Sequence, residues 1–280
     1  MPHVAEDTFA LNGHRLAYTS YGDGQRVTVL VHGLLLSQRM HAELAKALAE
    51  RGNRVVTIDL LGHGKSDRPP DMWRYSMTTF GAEVIALLDH LEVDEAVVLG
   101  TSLGANTALE CASLAPERLR GMVIEMPVLD NALLGCAIAF APLLLALTFG
   151  EPVMRLLSVG ARAIPRLPGL LDIGLDTIRQ DPKPSAAVLQ GLFFGRTAPH
   201  RTERRTFETP ALVIGHTRDP VHPFSDADML VAELPNARLV KARSIIELRV
   251  APERLTGEIA AFVDECWRPR PAARRRRAVS

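Results

Sequence analysis

Short runs of aliphatic and β-branched residues alternate with helical spacings over most of the chain. "HRLAYTSY" (14–21) alternates apolar and polar positions, as a half-buried antiparallel strand does. "RVTVLVHG" (26–33) is apolar almost throughout, which predicts a strand covered on both faces; "HAELAKALAERG" (41–52) follows as a helix closed by Gly52. The unit then repeats. "RVVTIDLLGHG" (54–64) is a strand and glycine turn, and residues 77–93 carry Phe80, Val84, Leu87, Leu88 and Leu91 at helical spacing. "EAVVLG" (95–100) is a strand, 103–119 a helix and "RGMVIEM" (120–126) a strand. After Pro127 the alternation stops, and the chain to about Glu208 is helical, leucine-rich and broken by prolines, like an insertion. Alternation resumes with strand 210–216, helix 224–235, strand 237–242 and helix 252–267.

Strands separated by helices predict an α/β fold with a mostly parallel sheet. The expected organisation is a core of residues 1–126 and 209–267, a helical cap of 127–208, and a disordered arginine-rich tail of 268–280.

Composition changes this picture little. With 280 residues, 47% hydrophobic and 23% charged, the chain can bury a sizeable core. Its net charge is zero, but "RPRPAARRRRAVS" (268–280) holds six arginines and no acid. A solvated tail accounts for that cluster, and no nucleic-acid partner is expected. Cys111, Cys136 and Cys266 lack the spacing of a disulfide framework or a zinc site. Neither a metal-binding HExxH nor a dinucleotide fingerprint is present, so no metal or cofactor is expected. "MPHVAEDTFALNGHRL" has no basic region followed by an apolar run, which makes the cytoplasm the expected location. One segment stands apart: Asn131 to Gly150 is free of charge for 20 residues, the length of a membrane span. Pro142 divides it and no second such segment exists, so it reads as a buried or substrate-facing helical pair, with weak membrane-surface contact as the alternative.

The candidate chemistry centres on Gly100-Thr101-Ser102-Leu103-Gly104, which fits G-x-S-x-G between a strand and a helix. In that context the turn lifts Ser102 above the sheet at a helix N-terminus, where developing negative charge is favoured. Acyl transfer needs two N–H groups facing the oxyanion. Leu103, after the serine, and Leu34, after His32-Gly33, are the natural donors, with His32 bonding its own loop.

"VLVHGLLLS", "TIDLLGHGKSDRP", "VLGTSLGAN" and "PALVIGHTRDPVHP", in that order, resemble the α/β-hydrolase superfamily over residues 8–267. The resemblance implies an eight-stranded sheet flanked by helices, a cap between strands 6 and 7, and a Ser–acid–His triad. It places the acid at Asp219 and makes His63 structural. Serine at the elbow argues against dehalogenase chemistry, which uses an aspartate there.

One position departs from the family pattern. The family's histidine stands about seven residues before the proline that opens the last helix, and counting back from Pro252 gives Ile245. No histidine follows His222. His222 is therefore the best substitute base, with Asp219 on the same loop. Both residues precede proline, which favours extended backbone, and positions three apart in extended chain face opposite ways. Asp219 would then orient His222 poorly, which leaves Glu125 as an alternative acid. Two functions follow from these residues. One is a serine hydrolase of apolar esters or thioesters with a non-standard base. The other is a catalytically weak protein binding a small lipophilic molecule.

Overall fold

The computed structural model describes residues 2–167 and 169–269. Eight strands form one sheet: β1 (Val4–Leu11), β2 (His14–Tyr21), β3 (Arg26–Val31), β4 (Asn53–Asp59), β5 (Ala96–Thr101), β6 (Leu119–Glu125), β7 (Ala211–His216) and β8 (Ala237–Ala242). Their order is β1-β2-β4-β3-β5-β6-β7-β8, antiparallel at β1–β2 and β2–β4 and parallel elsewhere. The central strands β3, β5, β6 and β7 are buried almost throughout, which is why they read as uninterrupted apolar runs.

β1 is the strand that the apolar pattern does not reveal. Only Phe9 of its eight residues is buried, so this edge strand carries no alternation. The signal that marks it is the turn. Asn12 and Gly13 both have positive φ, as a tight two-residue hairpin requires.

Helices cover both faces: α1 (Ala42–Ala49), α2 (Met77–His90), α3 (Leu103–Leu114), α9 (Phe224–Glu233), α10 (Glu247–Val250) and α11 (Glu253–Cys266). α2 starts where the Ser76 hydroxyl accepts the Thr79 amide. α3 stops at Leu114, short of the expected 119, because Pro116 cannot continue it.

Between β6 and β7 lie α4 (Leu133–Phe149), α5 (Glu151–Ala163), α6 (Leu170–Ile178), α7 (Pro182–Phe194) and the short α8 (Arg201–Arg204). The buried Asp226 carboxylate anchors the entry to α4, accepting the amides of Leu129, Asn131 and Ala132. Asn106 on α3 ties both ends of this insertion to the core: its amide nitrogen donates to the Val128 and Thr197 carbonyls, and its oxygen accepts the Val128 amide. Among the described residues no single helix is long and apolar enough to cross a membrane; α4 and α5 form a pair bent by 99°. Residues 270–280 of the expected tail lie outside the described residues.

Candidate active site

The serine turn is built by sterics. Ser102 has φ 56°, unusual for a residue with a side chain, and its amide donates to the Glu125 carbonyl at 2.8 Å. A Cβ on Gly100 would lie 1.9 Å from the Gly104 carbonyl oxygen, and one on Gly104 would lie 2.1 Å from that of Val31. Strand, turn and helix thus meet at a distance only glycine permits.

Above the turn, Ser102 Oγ lies 2.8 Å from His222 Nε2, and His222 Nδ1 lies 2.8 Å from Asp219 Oδ2. With a carboxylate facing Nδ1, that nitrogen carries the proton and Nε2 presents its lone pair to the serine hydroxyl. The sequence-based expectation for this loop fails in one respect: Asp219 orients His222 directly. Its Oδ1 accepts the amides of Val221 and His222, at 2.8 and 2.9 Å, and bends the chain into a turn. An aspartate that hydrogen-bonds the backbone two and three residues on overrides the extended bias of pre-proline positions. The same carboxylate then reaches the ring with its second oxygen. Burial alone would raise the Asp219 carboxyl, but the His222 ring and the two amides outweigh it and hold the group below its usual range.

Glu125 is not part of this chain of bonds. It is buried at the end of β6, where it accepts from Thr101 Oγ1 at 2.5 Å and from Arg249 at 2.9 Å, with His216 Nε2 3.6 Å away. Burial pushes its carboxyl up; Arg249, His216 and Thr101 together pull it well below the usual range. The alternative of Glu125 as the acid facing His222 is therefore corrected: its oxygens serve a separate ion pair. Arg249, on α10, had no motif to mark it. His216, whose Nδ1 meets the Ser244 carbonyl at 2.9 Å, belongs to this second cluster. Ile245, at the family's usual histidine position, is 44% exposed.

Leu34 and Leu103 both border a cavity of about 220 Å³ that opens onto Ser102. Among the described residues neither amide has an acceptor within the chain, the Leu103 amide because it begins α3. His32 is fully buried and structural: Nδ1 meets the Gly33 carbonyl at 2.8 Å and Nε2 accepts the Leu60 amide at 3.1 Å. His63 is buried as well, against the Leu61 carbonyl. The cavity's remaining wall is largely apolar, with Leu133, Cys136, Ala137 and Phe140 from α4 and Leu189, Leu192 and Phe193 from α7. Gly135 lets α4 sit close to the 219–222 loop: a Cβ there would lie 2.7 Å from the Pro220 carbonyl oxygen. Among the described residues no three His, Cys, Asp or Glu side chains meet in a way that could hold a metal ion.

Comparison with known proteins agrees with this architecture. Residues 27–147 match the family model described as the alpha/beta hydrolase fold. An epoxide hydrolase of Caballeronia sordidicola is 31% identical over 119 residues, 42% of this chain and 36% of that one. An uncharacterized protein of Mycobacterium tuberculosis is 26% identical over 256 residues, 82% of this chain and 72% of that one. A hydrolase structure from Pseudomonas aeruginosa PA01 is 25% identical with TM-score 0.71, covering 92% of this chain and 98% of that one. The enol-lactonase of Burkholderia xenovorans LB400 has the same fold, with TM-score 0.73, 23% identity and coverage of 92% and 100%. The chain has the α/β-hydrolase fold, the fold of the hydrolases it resembles.

Proposed function

We propose that the protein is a serine hydrolase of apolar carboxylic esters or thioesters, working through an acyl-enzyme on Ser102. The observation that carries this reading is the unbroken Ser102–His222–Asp219 relay, with both links at 2.8 Å. It favours an enzyme over a passive binder, since a binding pocket has no need of a base aligned on a serine. His222 Nε2 takes the Ser102 proton as Oγ attacks the carbonyl carbon. The Leu34 and Leu103 amides hold the resulting oxyanion. Collapse expels the alcohol or thiol, which leaves with the proton from His222. Water then attacks the acyl-enzyme, losing its proton to His222, and the acid departs as Ser102 recovers its own. Asp219 keeps the ring in the productive tautomer throughout.

The apolar wall supports a lipophilic acyl group. A volume of about 220 Å³ lies below the ~300 Å³ at which drug-sized pockets begin. That fits a short or medium acyl chain better than a long one.

The test is labelling with a fluorophosphonate and turnover of a p-nitrophenyl ester series, comparing the wild type with Ser102→Ala, His222→Ala and Glu125→Gln. Ser102→Ala should abolish labelling, and His222→Ala should lower kcat by about 10²–10⁴. A folded Glu125→Gln should keep labelling. A wild type that neither labels at Ser102 nor turns over any ester would overturn the proposal.

A further inference from the structure

α4 is apolar on every side, yet of its 17 residues only Leu147 is buried. A helix apolar all round normally lies inside a protein or in a membrane. One side is accounted for: Leu133, Cys136, Ala137 and Phe140 border the Ser102 cavity. The opposite side is exposed and carries Leu134, Ile138, Leu145 and Phe149, the last 80% accessible. α5 extends the surface at a sharp bend, with Val153, Leu156 and Leu157 exposed at helical spacing. Over residues 150–167 the charged residues are Glu151, Arg155, Arg162 and Arg166; Arg155 pairs with Glu151, Arg166 with Asp172 and Asp176, and Arg162 donates to the Arg179 carbonyl. The sequence adds six arginines and no acid over 268–280.

We propose that the α4–α5 face docks onto a lipid surface and that α4 separates that surface from the catalytic cavity. A bent pair of an all-apolar helix, α4, and an amphipathic helix, α5, has the chemistry of an interfacial, non-spanning contact. The face from Asn131 to Gly150 carries no charge, which suits the acyl region of a lipid surface. The position of α4 gives the contact a purpose: a lipophilic ester leaving the acyl region meets the cap directly above Ser102. That purpose rests on the hydrolase reading; the docking itself does not.

Flotation of the full chain with vesicles tests it, using phosphatidylcholine alone and an equal mixture with phosphatidylglycerol. The wild type should float with both, more strongly with the mixture. The variant Leu134→Gln/Ile138→Gln/Phe149→Gln/Leu156→Gln should lose about tenfold or more in vesicle partitioning. Its Tm and its turnover of a water-soluble ester should stay unchanged, because these side chains are exposed. Three results would overturn the proposal: a wild type that stays in solution, a variant that floats equally well, or a wild-type dimer that the variant turns into a monomer without any vesicle binding. Binding only to the anionic mixture, abolished by high salt, would also overturn it, since arginines alone would then account for it.

A separate observation concerns the oxyanion donor. Leu35, next to Leu34, is a buried non-glycine residue at φ 57°. Its carbonyl accepts two hydrogen bonds from the cap, Thr177 Oγ1 at 3.0 Å and Gln180 Nε2 at 2.9 Å. Arg68 in turn donates to the Gln180 side-chain oxygen. The geometry points to Thr177 and Gln180 as positioning residues that hold the Leu34 amide toward Ser102, a role that rests on the hydrolase reading. Thr177→Val/Gln180→Met should lower kcat about tenfold to a hundredfold at unchanged KM. It should also slow fluorophosphonate labelling in proportion, and restoring the hydroxyl as Thr177→Ser should recover part of the rate. Unchanged kcat, or a loss confined to KM, would sink this role. An inert wild type would sink the hydrolase reading instead.

Discussion

Asp219 does two things with two oxygens. Oδ1 folds the loop by accepting two amides, and Oδ2 holds the imidazole. The two tasks can be separated by substitution. Asp219→Asn retains an oxygen for the loop amides but offers an NH₂ group to the ring. It should fold with a near wild-type Tm and lose about 10²–10⁴ in kcat. Asp219→Ala loses both tasks, so it should fall at least as far and also expose the 219–222 loop to faster amide exchange. Equal kinetics for the wild type and Asp219→Asn would show that the carboxylate is not the orienter. A second residue-scale effect lies outside the site. Glu83, on α2, is buried, accepts the Leu61 amide at 2.9 Å, and burial raises its pKa from 4.5 to about 8. The folded state therefore holds a proton that the unfolded state releases. The stabilisation is fully present below about 4.5 and is lost as pH rises through about 8. Tm should decline over that window in the wild type and stay flatter in Glu83→Gln; parallel Tm–pH curves would exclude the effect.

At the scale of elements, the 219–222 loop packs against α4, and Gly135 sets the distance. A side chain there meets the Pro220 carbonyl, so Gly135→Val should push the loop that carries His222. A displacement near 1 Å costs on the order of 10²-fold in a positioned site. The expected variant is folded, with kcat reduced about tenfold to a hundredfold, measured against p-nitrophenyl esters. The elements also show what the sequence can reveal. β3, β5, β6 and β7 were legible because both of their faces are buried, and the serine turn because sterics impose glycines on it. β1 was hidden by its exposure. The His222–Asp219 pairing was half legible: both residues were named, but the turn that joins them comes from side chain–backbone bonds, which no periodicity records. Thr177, Gln180 and Arg249 were not legible, since each acts only through contacts distant in sequence.

In the whole molecule, the space beneath the serine turn holds an ion pair. Arg249 joins the C-terminal part of the chain to Glu125 and Thr101, with both charged side chains largely buried. Removing one partner of such a pair leaves an uncompensated charge, at a cost of about 3–5 kcal/mol. Arg249→Met should therefore destabilise strongly in urea unfolding, and Arg249→Met/Glu125→Gln should recover much of the loss. The carboxyl is depressed, so its contribution is present above the ordinary glutamate value of 4.5 and is lost as pH falls through the lower folded value. A double variant no more stable than Arg249→Met alone would show that the pair is not what holds these parts together.

The compact 219–222 loop also bears on the chain entropy of assembling the site. The His222–Asp219 contact spans three residues, and Ser102–His222 spans 120. Loop closure grows slowly with length, and the difference between these two spans is about 3 kcal/mol of chain entropy. The imidazole is thus oriented by a contact within its own turn. Orienting the His222 ring therefore costs less chain entropy than bringing Ser102 to it.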